Sequence, residues 1–85
     1  MRNEGSVMTT KEERIAAIDL AILRGNGIVR FAKMMGVSHQ AIYAWKRRGW
    51  VPIEKAVALE AIFSIPRDDV MNPDLVRAVN TPAAI

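Results

Sequence analysis

Apolar residues recur along this chain at three- and four-residue spacing, in stretches separated by glycine and proline. Such spacing marks amphipathic helices rather than strands. The first stretch carries Ile15, Ile18 and Ile22 on one face, widened by Leu20 and Leu23. Thr10 with Glu13 three residues later forms a capping box at its start, and Thr9 with Glu12 offers an equivalent frame. A first helix is therefore expected to run to about Arg24. Gly25-Asn26-Gly27 stops it, a glycine pair suited to a left-handed helix end. Second and third helices are expected over 28–35 and 38–48, the latter ended by Gly49. Pro52 at the first helical position, with Glu54 in the first turn, opens a fourth helix to about Phe63. Val57, Leu59, Ile62 and Phe63, with Ala56 and Ala58 between them, are its core candidates. Ile65-Pro66 breaks this helix, residues 67–71 suit a short helical turn, and Pro73 breaks the chain again. No segment alternates as a strand does and no internal repeat occurs. The pattern predicts an all-α, compact bundle of four to five short helices over 10–79, with a flexible arm at 1–9 and a frayed tail at 80–85.

The stretch from Ile28 to Arg47 has the make-up of a helix-turn-helix. That motif needs two short helices, a residue between them that tolerates positive φ, and an apolar seam. Gly36 supplies the turn, because a Cβ there would strain the backbone. Phe31, Met35, Val37, Ile42 and Trp45 supply the seam, and Ala32 is small where the second helix must come close. Ser38 stands where an N-cap hydroxyl accepts from the first free amides of the following helix. The other face of that helix carries His39, Gln40, Tyr43, Lys46 and Arg47.

Composition narrows the function classes. A chain of 85 residues, 51% apolar and 25% charged, suits one small ordered domain. The absence of cysteine excludes a disulfide framework and any Cys-ligated metal. One histidine builds no metal site alone, and no acidic pair sits in an apolar setting, so neither an enzyme nor a bound cofactor is expected. Gly25-Asn26-Gly27 is not read as a phosphate cradle, since no strand precedes it and no Gly-Lys-Ser/Thr follows. The first ten residues contain no apolar core of a signal peptide, and no run of ~20 apolar residues occurs, so a cytoplasmic protein without a membrane partner is expected. Net charge is only +3, but its distribution is uneven. Arg30, Lys33, Lys46, Arg47 and Arg48 fall between positions 28 and 48, while none of the nine acidic residues does. Basic charge is thus concentrated where phosphates would be neutralised.

In this motif the second helix lies in the major groove and the first braces the sugar-phosphate backbone. Gln40 is the leading base reader, because its amide can pair bidentately with the N6 and N7 edge of adenine. His39 has either a phosphate or guanine acceptor as target, or a capping or solvent role. Tyr43, one turn after Gln40, either covers a thymine methyl or packs on a neighbouring helix, and Ala44 offers an apolar contact to such a methyl. Arg47 falls on the same face and suits guanine or phosphate. Ser38, Lys46 and Arg48 suit phosphates, the last two otherwise complementing the helix dipole. Trp45 is placed in the core by its spacing from Ile42; Trp50 either seals the junction of the third and fourth helices or stays partly exposed. One such motif covers little DNA, so a homodimer on double-stranded DNA is expected. Val70, Leu75, Val76 and Val79 are candidates for its interface or for internal packing.

Over more than half its length the chain resembles the Cro-like and YdaS-like repressors of phages and prophages. The residues that carry the resemblance are Phe31-Ala32-Lys33-Met34-Met35-Gly36-Val37, Gln40-Ala41-Ile42, Trp45, Arg48-Gly49, Val51-Pro52, Leu59-Glu60 and Pro73-Asp74-Leu75. The resemblance implies a lambda-repressor-like fold and a sequence-specific transcriptional regulator of a bacterial host cell, binding short, palindromic operator DNA as a dimer. It places Ser38, His39, Gln40, Tyr43, Ala44 and Arg47 at the groove. Ile28 stands where many members carry a polar residue that braces the backbone, which leaves that clamp to Asn26, Arg30 or the helix-end amides. Some relatives are antitoxins, and the alternative from a different class is a helical module, antitoxin or adaptor, that binds protein.

Overall fold

The computed structural model describes residues 9–80, so the expected arm and tail lie outside it except for Thr9 and Asn80. The described residues form five α-helices: α1 (Lys11–Arg24), α2 (Ile28–Met35), α3 (His39–Arg48), α4 (Ile53–Phe63) and α5 (Pro73–Asn80), with a 3-10 turn at Arg67–Asp69 before the last. The fold is an all-α bundle. No strand forms among the described residues; an isolated parallel bridge joins Val51 to Met71, and the Val51 amide donates to the Val70 carbonyl at 2.8 Å.

Local chemistry sets the helix limits. Both halves of the Thr10 capping box form: the Glu13 amide donates to Thr10 Oγ1 at 3.0 Å and the Thr10 amide to Glu13 Oε1 at 2.8 Å. The face of α1 that turns inward is Arg14, Ile18 and Ala21, with Ile22 packed beside it. Leu20 and Leu23, expected to widen that face, are exposed instead, Leu23 at 72%. At about 100° per residue they lie roughly 200° and 140° around the helix from Ile18, beyond a stripe this narrow. The turn that follows also departs from expectation. Gly25 has φ −85°, and the positive φ values belong to Asn26 at 65° and Gly27 at 102°. Gly25 answers a packing need, since a Cβ there would lie 3.1 Å from Phe31 Cβ and 3.2 Å from its Cα.

Gly36 ends α2 in the left-handed region, as the motif requires, at φ 67°. Ser38 caps α3, its Oγ accepting from the Ala41 amide at 3.1 Å. Pro52 is not the first residue of α4 but its cap. Its ψ of 150° is extended, and its carbonyl accepts from the Ala56 amide at 2.8 Å. Pro73, read as a break, begins α5: Asn72 Oδ1 accepts from the Asp74 amide at 2.9 Å, and a proline suits the first turn because its missing N–H has no helical partner there.

Ile18, Phe31, Ile42, Leu59, Val51, Val70 and Val76 are fully buried. The Phe31 and Phe63 rings meet at 5.2 Å between centroids, tilted by 35°. From α4 the core takes Ala56, Leu59 and Phe63, whereas Val57 and Ile62, expected inside, are exposed. Leu59 and Phe63 are one turn apart and face inward together. Val57 lies about 160° from Leu59 around the helix. Val70 and Val76 are consumed by internal packing and Leu75 is exposed; the Val79 side chain is outside the described set. No helix among the described residues is long and apolar enough to cross a membrane.

Candidate nucleic-acid interface

Helices α2 and α3, joined through Gly36, Val37 and Ser38, form a helix-turn-helix built on the expected seam. Phe31, Ala32, Met35, Ile42 and Trp45 are buried and Val37 packs against them. Because Ile42 and Trp45 fix one side of α3 inward, positions 40, 43 and 47, spaced by three and four, face the other way. Gln40, Tyr43 and Arg47 are indeed all exposed. Tyr43 is 52% exposed. His39 and Ala44 are half-buried at the two margins of this surface.

The cations around it fall into two groups. Arg30 and Lys33 on α2 and Arg47 on α3 are exposed, and none makes a hydrogen bond or ion pair with another described residue. Asn26 is exposed at the turn leading into α2. Lys46 and Arg48, by contrast, are engaged. Lys46 Nζ meets Asp19 Oδ1 on α1 at 2.8 Å. The Arg48 guanidinium lies 3.9 Å from the Trp50 ring centroid, and its Nε donates to the Trp50 carbonyl at 3.2 Å. Trp50, whose place the sequence left open, is half-buried and carries this cation.

The rigidity of α3 rests partly on a residue that sequence reasoning missed. Arg14 is buried, with Nε donating to the Gly49 carbonyl at 2.5 Å and Nη1 to the Thr9 carbonyl and Oγ1 at 2.6 and 3.1 Å. A cation from α1 thereby meets the carbonyl end of α3, where the helix dipole is negative. The same device recurs at two other helix ends. Lys55 Nζ donates to the Met35 carbonyl closing α2 at 3.4 Å, and Arg24 Nη1 to the Phe63 carbonyl closing α4 at 2.6 Å. The signal for Arg14 was available in its spacing from Ile18 and Ala21, which puts it on the inward stripe of α1. Asp19 carried no such signal, because its partner belongs to a helix distant in sequence.

Chemically, the α3 surface offers an amide, a phenol and a guanidinium on a scaffold whose opposite side is core, flanked by cations of α2 that are unpaired among the described residues. No group of His, Asp or Glu among the described residues is placed to hold a metal ion. Comparison of the chain with protein-family models, with curated proteins and with solved structures gives no match.

Proposed function

We propose that this chain is a sequence-specific DNA-binding transcriptional regulator of the Cro type, acting in the cytoplasm of a bacterial host and occupying operator DNA as a homodimer so that transcription is blocked. The observation that carries the reading is the shared outward exposure of Gln40, Tyr43 and Arg47 on a helix whose other side, Ile42 and Trp45, is locked in the core. A reading element must be held rigidly for its hydrogen bonds to discriminate between bases. In this reading Gln40 pairs with adenine, Tyr43 and Ala44 contact thymine methyls, and Arg47 and His39 take guanine or phosphate. Ser38, Asn26, Arg30, Lys33, Lys46 and Arg48 position the backbone. Selection of bound duplexes from a random pool at fixed salt tests this. A short enriched sequence with two-fold symmetry and half-sites about one helical turn apart supports it. Recovery of unenriched sequence contradicts it.

A second reading, a helical module of the antitoxin or adaptor kind, has one observation in its favour. Helix α4 is apolar on both sides: Ala56, Leu59 and Phe63 fill the core, while Ile53, Val57 and Ile62 are exposed. Helices apolar all round are usually covered. Under this reading substitution of Gln40 changes nothing in partner binding.

A further inference from the structure

Within the basic stretch, Arg30, Lys33 and Arg47 are free of partners among the described residues, but Lys46 is held by a carboxylate from another helix. The Lys46–Asp19 pair spans α1 and α3, closes to 2.8 Å, and leaves both side chains in contact with solvent, 38% and 52% exposed. Lys46 follows Tyr43 by three residues and His39 by seven, so it rises from the flank of the outward surface of α3. A phosphate running along that flank and the Asp19 carboxylate present the same chemistry to one ammonium: a compact anion with oxygen acceptors.

Resting on the DNA-binding reading above, we propose that Asp19 is an affinity-setting residue that competes with a DNA phosphate for Lys46. While the carboxylate is in place, the pair is neutral as a unit and contributes little to counterion release. Removing that carboxylate exposes one more net positive charge to the duplex. A solvent-exposed pair of this kind is weak enough to exchange partners, and its loss leaves the fold intact. The consequence lies in the sequence-independent part of binding, because the partner proposed for Lys46 is a phosphate and not a base. Asp19 holds that part down, so that base reading by α3 accounts for a larger share of the total.

The test measures binding of the full chain to its selected duplex by fluorescence anisotropy across about 50 to 200 mM salt. The variants are Asp19→Asn, Lys46→Gln and the double substitution, each checked for an unchanged thermal melt. Asp19→Asn is expected to tighten binding about three- to fivefold at the low-salt end and to steepen the log–log salt slope by up to about 0.9. Lys46→Gln is expected to weaken binding, and in its background Asp19→Asn is expected to have little further effect. A salt slope unchanged by Asp19→Asn overturns the proposal. So does a gain that persists in full without Lys46, since Asp19 then acts only through the general field. If the unaltered chain binds no selected duplex, the DNA-binding reading fails and this proposal falls with it. If it binds but the cycle is additive, this proposal alone fails.

Discussion

Gly36 holds the left-handed conformation between α2 and α3 at φ 67°, and open space surrounds the position where a Cβ would stand. The cost of a side chain there is therefore conformational rather than steric. Gly36→Ala is expected to lower stability by about 1–2 kcal/mol, read by denaturant unfolding, with no new clash to repair. Ser38 contributes through a single oxygen, which accepts the Ala41 amide at the start of α3. Ser38→Ala is expected to cost about 0.5–2 kcal/mol in the same measurement, and Ser38→Asp to keep most of it. At this scale the sequence was highly legible for residues whose physics is local. Glycine at a turn, a hydroxyl before a helix and tryptophan one turn from isoleucine each have one dominant reason to be where they are. Arg14 shows the limit: its spacing points inward, but a charged residue has an exposed reading by default, and the Gly49 carbonyl is the partner that makes its burial tenable.

Helices in this bundle end on carbonyls that neighbouring helices satisfy with cations: Arg14 at α3, Lys55 at α2 and Arg24 at α4. Each such donor meets orphan acceptors and the negative pole of the helix dipole together. Arg14 is the most buried of the three, so Arg14→Ala leaves the Gly49 carbonyl without this donor in a site poor in water. A loss of about 1–3 kcal/mol is expected, seen as a fall in melting temperature of roughly 4–8 °C per kcal/mol for a chain of this size. Arg14→Lys is expected to recover little, because a single ammonium cannot reach Thr9 and Gly49 in the forked geometry of guanidinium. Element boundaries were legible where caps and glycines coincide with the end of an apolar period, as in the first three helices. They were less so near proline. Pro52 and Pro73 have the same φ constraint as starters, caps or breakers, yet Pro52 caps α4 and Pro73 begins α5. The inward face of α4 was blurred for a related reason: Ile53, Val57 and Ile62 outside and Ala56, Leu59 and Phe63 inside leave almost no polar stripe to orient the helix.

Across the whole molecule, charge rather than shape sets the proposed function apart from simple packing. Among the described residues, the cations without an ionic partner in the basic stretch, Arg30, Lys33 and Arg47, lie on α2 and α3, whereas Arg67 and Arg77 beyond them pair with Glu60 and Asp74. If Arg30 and Lys33 contact phosphates as proposed, Arg30→Ala and Lys33→Ala are each expected to weaken binding to all duplexes about equally and to lower the salt slope by about 1. Gln40 is expected to behave differently, and it tests the central claim most directly. The measurement is the ratio of dissociation constants for the selected duplex and for the same duplex with one adenine–thymine pair replaced, taken at one salt concentration for the unaltered chain and for Gln40→Ala. At the base pair assigned to Gln40 in the proposed reading, the unaltered chain is expected to discriminate by roughly 1–3 kcal/mol, and Gln40→Ala to lose that discrimination while keeping it at other positions. Equal ratios for the two proteins at every position of the site would contradict the account.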